Sequence, residues 1–384
     1  MKLEQLKKVA VIGAGDMGHG IAQLALMAGY ELNLCDIKQE FVDRGEARIY
    51  QSLDKLASKG KFDAAKVEEI KAGKIQKFTD IGEAVKDADF AIEVVPEKES
   101  IKLPTLKAIS DSIREDAIIA TNTSTMSITD LSAAIKNPDR FLGTHYFNPP
   151  VLMKLVEVIK GAATSEETLQ FGIDYVNKLG KVLVVAMKDR PGFIANRIAA
   201  PTIVYNGLQL DVDGRDPMDI DISMLKVGQK MGPMELADYS SIDVMNACQD
   251  YYHEHLSPEY GPSKAAAKLV SEGHYGKKTG SGYYSWDQPG RPVMDESRWT
   301  GTYDPDLFYF IEANEATKLL EEGVCSLQDC DTAMQFGYNT PGPVAYIQKF
   351  EPEYVAEKLQ AISDKYGYQI FAPTETIKSG NYKY

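Results

Sequence analysis

Residues 8–36 read KVAVIGAGDMGHGIAQLALMAGYELNLCD, and this stretch decides the fold. Lys8–Gly13 is a continuous apolar run, as expected of a strand buried on both faces of a parallel sheet. Asp16–Ala28 carries a helical pattern that Gly29 closes at a C′ position, and Glu31–Asp36 forms the next short strand. Between the first strand and the helix lies GAGDMG, which supplies Gly13, Gly15 and Gly18. Glycines cluster in many turns, so GxGxxG alone is a weak pattern. Here it follows a strand, opens a helix, and has Asp36 waiting at the end of the second strand. Gly13 suits the tight turn, Gly15 lets the backbone approach a pyrophosphate, and Gly18 permits close helix packing. Asp16 and Met17 fall inside the same turn and belong to the same binding set. The helix N-terminus then offers free N–H groups and a partial positive charge to the pyrophosphate. A carboxylate at position 36 accepts the ribose hydroxyls of NAD and repels the 2′-phosphate of NADP, although Lys38 nearby softens that repulsion.

Outward from this unit, strand and helix keep alternating. A long helical pattern covers Gln39–Ser58, and strand-like runs follow at Ala88–Val95, Ala117–Thr121 and Arg140–Phe147. Such spacing implies βαβ units with right-handed crossovers, and so a doubly wound sheet of the Rossmann type. After a last strand at Lys181–Ala186, Pro191–Gly192 marks a junction and helical patterns take over. One repeat appears there. DISMLKVGQKMGPMEL begins at Asp221 and DTAMQFGYNTPGPVAY at Asp331, each with Met three residues after the Asp and Gly-Pro eleven after it. The expected organisation is therefore an α/β nucleotide-binding domain at 1–188 followed by two all-α copies, 189–290 and 291–384, the second of them structural.

The bulk properties narrow the function. A chain of 384 residues, 44% hydrophobic and 26% charged, is long enough for two or three domains. A net charge of −14 argues against nucleic acid or an anionic membrane as partner. Cys35, Cys248, Cys325 and Cys330 form no CxxC pair, which points away from a disulfide framework or a thiolate metal site and towards a reducing compartment. The opening residues enter a strand at once, leaving no room for a signal peptide, and no run of 18 apolar residues appears. A cytoplasmic location and no metal are expected.

In a doubly wound sheet, ligands bind outside the carboxyl ends of the strands. Glu97 and Lys102 follow AIEVV, Ser124 follows AIIATNT, and His145 and Asn148 lie in HYFNPP. Each has a plainer reading. Ser124 and Asn148 are common turn residues, Lys102 suits a solvated helix face, and a lone histidine beside an apolar strand is usually core. Glu157 is harder to dismiss, because a carboxylate inside LVEVI is costly unless paired. Two prolines force a turn between His145 and Glu157, so neighbouring strands can bring them together. Oxidising a hydroxyl needs a base for its proton, and histidine oriented by a carboxylate fits that task.

NTSTMSI, GTHYFNPPVLMKLVEVIKG, DRPGFIANRI, MGPMELADY and YGKKTGSGYY together resemble the L-3-hydroxyacyl-CoA dehydrogenase family, in the right order through nearly the whole chain. The resemblance implies that His145 is the catalytic acid/base, that Glu157 is its partner, and that Ser124 and Asn196 contact substrate. It also implies NAD contacts at Asp36, Glu97, Lys102, Ser124, Asn148 and Lys278. CoA contacts would fall at Ser52 and Lys59, seven apart on one face of the long helix, a pair that equally suits a solvent face. The expected activity is reversible, NAD-dependent oxidation of (S)-3-hydroxyacyl-CoA. Single-copy relatives pair their helical domains between subunits, so the second copy implies either a homodimer or a monomer with the pairing made internally. No hydratase signature is present, and a hydratase is expected from a separate polypeptide. Two rivals stand beside this reading: a dehydrogenase of another 3-hydroxy acid, and a dinucleotide-binding structural protein without activity.

Overall fold

The computed structural model describes residues 1–383 and divides into two compact units, Met1–Phe193 and Ile194–Tyr384. The first unit is built on one eight-stranded sheet. Its strands are β1 (Lys8–Ile12), β2 (Glu31–Cys35), β3 (Ile75–Phe78), β4 (Phe90–Glu93), β5 (Ile118–Thr121), β6 (Phe141–Tyr146), β7 (Leu155–Ile159) and β8 (Val182–Ala186). They lie in the order β3-β2-β1-β4-β5-β6-β7-β8. Neighbours are parallel except β6 and β7, which run antiparallel. The chain reverses direction of travel across the sheet between β1 and β4, and this switch point is where a Rossmann-type sheet opens its ligand crevice.

The helices of this unit are α1 (Gly18–Met27), α2 (Gln39–Ser58), α3 (Ala64–Lys71), α4 (Ile81–Val85), α5 (Glu99–Ser112), α6 (Ile128–Leu131) and α7 (Glu166–Lys178). Phe90 of β4 meets Phe171 and Tyr175 of α7 edge-on, with ring centroids 5.2 and 4.9 Å apart. That geometry suits the ring quadrupoles and locks helix to sheet. Most helices start on a side chain that satisfies their free N–H groups: Asp63 caps α3, Asp80 caps α4 and Ser165 caps α7. No side chain caps α1, whose first residue is Gly18 rather than the expected Asp16. Strand β3, IQKF, has no clear expectation in the sequence. It is an edge strand paired only with β2, and its two central residues are exposed polar ones, so it lacks the apolar run that betrays a buried strand.

The second unit is helical. It holds α8 (Ala195–Asp211), α9 (Pro217–Lys226), α10 (Pro233–Ser240), α11 (Ile242–His255), α12 (Lys264–Ser271), α13 (Pro305–Glu321), α14 (Leu327–Ala333), α15 (Pro343–Ile347), α16 (Pro352–Tyr366) and α17 (Glu375–Ser379). Helices α8 and α13 pack on one another, and Arg197 of α8 is buried against Glu315 of α13 and Glu322 beyond it. Helix starts recur at a constant offset of 110 residues: 195 and 305, 217 and 327, 233 and 343, 242 and 352. The same device also recurs inside them. Asp221 accepts the backbone N–H groups of Met234 and Glu235 at the start of α10, both at 2.8 Å. Asp331 accepts those of Val344 and Ala345 at the start of α15, at 2.8 and 2.9 Å. A Cβ on Gly232 or Gly342 would collide with the respective aspartate, which explains why the Gly-Pro pair opens both helices. Among the described residues no helix is long and apolar enough to cross a membrane. All four cysteines are free.

Candidate active site

His145 on β6 and Glu157 on β7 stand directly opposite each other in the antiparallel register. Nδ1 of the imidazole is 2.6 Å from Oε2 of the carboxylate. His145 is 5% exposed and Glu157 not at all. A carboxylate there is tolerable because the ring N–H answers it. The bond assigns the proton to Nδ1 and leaves Nε2 as the acceptor, the arrangement a general base needs. The rings of Phe147 and Phe193 lie 4.6 and 5.8 Å from the imidazole, giving it an apolar wall.

Ser124 sits on the loop after β5, and three carboxylate or amide groups hold that loop. Glu97 Oε1 accepts from the Thr123 hydroxyl, from Ser124 N at 2.9 Å and from Thr125 N at 3.2 Å. Asp189 Oδ2 accepts from Ser127 Oγ and Thr129 N at 2.6 and 2.8 Å. Asn122 Oδ1 accepts from Tyr146 N at 2.9 Å and so ties the loop to the strand that carries His145. Burial pushes the Glu97 carboxyl up, but the Lys102 ammonium and the loop's donors outweigh it and hold the group below the usual carboxylate range.

Lys102 does not face solvent as a helix-surface residue would. It is 1% exposed, and its ammonium lies 3.0 and 3.1 Å from the two Glu93 oxygens and 3.1 Å from Glu97. Thr121 Oγ1 also donates to Glu93, at 2.6 Å. Glu93 therefore neutralises Lys102, and Lys102 in turn steadies Glu97 against the Ser124 loop. Glu93 escaped the sequence reading, although a lone carboxylate in AIEVV is the same signal that singles out Glu157 in LVEVI. Asn148, by contrast, lies exposed on the turn after β6.

The turn between β1 and α1 has the form of an anion cradle. Gly13 takes φ +111°, and a Cβ there would sit 2.4 Å from the Val94 carbonyl of the neighbouring strand. A Cβ on Gly18 would lie 1.8 Å from the Gly13 carbonyl. Gly15 differs, because a Cβ there would meet no protein atom within 4 Å. Nothing in the fold requires glycine at 15, so its bareness fits a ligand brought close to the backbone. Together with the uncapped N–H groups of α1, this is a site a dinucleotide's pyrophosphate fits. Asp36 accepts from Ala14 N and Ile37 N, both at 2.7 Å, which fixes the carboxylate beside the cradle. Asp16 pairs with Arg48 of α2 at 2.6 Å, and Met17 is the N-cap residue of α1. His19, which the sequence did not single out, places Nδ1 2.8 Å from the Gly15 carbonyl.

The remaining candidates are less gathered. Ser52 is half-buried on α2, whereas Lys59 is exposed and lies one residue past that helix as its C-cap, not on its face. The helix stops at Ser58 because Gly60 takes a left-handed conformation just beyond the cap. Asn196 and Lys278 belong to the second unit. Asn196 lies in the first turn of α8 and accepts from the Tyr338 hydroxyl at 2.9 Å, while Lys278 pairs with both Asp243 oxygens at 2.7 Å.

Comparison with known proteins agrees with this geometry. A family model described as "3-hydroxyacyl-CoA dehydrogenase, NAD binding domain" matches residues 8–190, and one for that family's C-terminal domain matches residues 192–286. A probable 3-hydroxybutyryl-CoA dehydrogenase of Deinococcus radiodurans is 39% identical over 73% of this chain and all of its own length. A fatty acid oxidation complex subunit alpha of Psychrobacter cryohalolentis is 33% identical over 96% of this chain, which spans about half (53%) of that longer protein. The solved 3-hydroxybutyryl-CoA dehydrogenase of Escherichia coli superposes over 98% of both chains with a TM-score of 0.88 and 27% identity.

Proposed function

The chain belongs to the 3-hydroxyacyl-CoA dehydrogenase family, and from that premise we propose how its own residues carry the reaction. It is an NAD-dependent oxidoreductase that interconverts (S)-3-hydroxyacyl-CoA and 3-ketoacyl-CoA in fatty-acid metabolism. The observation that carries the reading is the buried His145–Glu157 pair, opposite in register and 2.6 Å apart. NAD, held by the Gly13–Gly18 cradle and Asp36, supplies the hydride acceptor at C4 of its nicotinamide. Nε2 of His145 takes the proton of the C3 hydroxyl, and Glu157 stabilises the imidazolium that results. In the other direction the imidazolium returns the proton to the forming alkoxide. Ser124 and Asn196 hold the substrate oxygens, and Glu97, Lys102 and Glu93 keep the Ser124 loop in place.

The second half is proposed to hold two copies of one helical domain, at 189–290 and 291–384. Its support is the offset of 110 residues and the paired Asp221 and Asp331 caps. Arg197 with Glu315 would then be the joint between copies, making within one chain a contact that two subunits could otherwise share. A cytoplasmic site of action is proposed from the free cysteines.

The test is NADH oxidation by the purified chain with acetoacetyl-CoA and, separately, with free acetoacetate. Turnover of the thioester with little of the free acid supports the reading. Equal use of both favours a dehydrogenase of free 3-hydroxy acids, and no turnover with either favours a binding protein. Lys59→Ala separates the first two further, since it should raise KM for the thioester alone.

A further inference from the structure

Asn196 owes its side-chain orientation to a residue 142 positions away in sequence. The Tyr338 hydroxyl donates to Asn196 Oδ1 at 2.9 Å, and both residues belong to the second unit. Tyr338 ends a π-helical turn, Met334–Tyr338, that continues α14. Such turns are rare and are frequent at functional sites. Position 228, at the same place 110 residues earlier, is a glycine with φ +97° that ends the run of α9. A tyrosine could not take that left-handed conformation without strain. The π turn removes the conflict by moving the left-handed residue one place along, to Asn339 at φ 58°. Asparagine tolerates that region better than most residues. The second half thus keeps the aspartate-capped helix pair but spends one irregular turn to place a full phenol where the first has none.

We infer that Tyr338 is a positioning residue for the dehydrogenase reaction, acting through Asn196. The inference rests on the reading that Asn196 holds a substrate oxygen. With Oδ1 engaged by the phenol, Asn196 turns its NH2 edge to substrate as a donor. A donor matches the C3 oxygen, which is a hydroxyl or carbonyl acceptor in the two ground states and gains negative charge between them. An asparagine free to flip would spend part of its time with its carbonyl towards that charge. The second helical half therefore contributes to the reaction as well as to stability.

The experiment is a cycle of Tyr338→Phe, Asn196→Ala and the double variant, assayed with acetoacetyl-CoA and NADH. Tyr338→Phe keeps the ring and should lower kcat/KM for the thioester roughly 3–10-fold, the scale of one neutral hydrogen bond. KM for NADH, NADH binding by fluorescence and the thermal midpoint should stay at wild-type values. In the Asn196→Ala background, Tyr338→Phe should have no further effect. A wild-type kcat/KM in Tyr338→Phe overturns the inference, as does an equal loss in both backgrounds. If Asn196→Ala itself turns over normally, the role of Asn196 falls and that of Tyr338 with it. No turnover by the wild-type chain instead refutes the dehydrogenase reading on which both depend.

Discussion

Replacing Glu157 with glutamine keeps the size of the side chain and removes its charge, at a position where no solvent can compensate. In the native pair the carboxylate meets His145 Nδ1 at 2.6 Å. A hydrogen bond to a charged partner contributes roughly 1.5–3 kcal/mol, and one between neutral groups roughly 0.5–1.5 kcal/mol. The imidazolium formed during hydroxyl oxidation therefore loses roughly 1–2 kcal/mol of stabilisation, a fall of about 5–30-fold in kcat. An amide that turns its NH2 towards Nδ1 would lower the rate further, by moving the ring proton to the nitrogen that has to accept. The assay is steady-state oxidation of a 3-hydroxyacyl-CoA, with NADH formation followed by absorbance. Fluorescence titration with NADH should show unchanged affinity, because neither residue belongs to the glycine cradle. An unchanged kcat in Glu157→Gln would refute the reasoning, since the carboxylate would then be a buried structural charge only.

The glycine turn gives a paired test. Gly13→Ala should lower the thermal midpoint and weaken NADH binding together, because its Cβ would meet the Val94 carbonyl at 2.4 Å in a left-handed residue. Gly15→Ala should leave the midpoint alone and weaken only NADH binding, because its Cβ meets no protein atom within 4 Å; unaltered binding would remove the cradle role. In the second unit, burial pushes the Glu315 carboxyl up, but Lys318 and Arg197 outweigh it and hold the group down to about 2. Its folded value lies below its unfolded value of about 4.3, so the pair contributes about 3 kcal/mol above that pH and loses it as pH falls towards 2. Glu315→Gln should therefore cost stability at pH 7, read as a urea midpoint, and the gap from wild type should narrow between pH 5 and pH 3. A gap independent of pH would contradict it.

Much of the nucleotide half is legible in the sequence because its signals are local. A both-faces-buried strand shows as KVAVI, and the turn chemistry shows as three glycines whose separate reasons the structure supplies. The His145–Glu157 contact is legible for another reason: a charge inside LVEVI demands a partner, and a Pro-Pro turn brings one alongside. The same logic applied to AIEVV would have found Glu93 and, through it, the burial of Lys102. What stayed hidden depends on long-range placement. Asp189 clasps the Ser124 loop from some sixty residues away, and nothing in KDRPGF announces that partner. Tyr338 reaches Asn196 only through an irregular turn, which no periodicity reports. Lys59 illustrates the opposite error, because heptad spacing suggested one helix face where the helix had already ended.

The most direct test of the central claim is His145→Ala with acetoacetyl-CoA and NADH, run beside an NADH binding titration. If Nε2 of His145 is the acid/base, kcat falls by roughly 10²–10⁴-fold while NADH binds as before. Wild-type turnover in that variant would contradict the account.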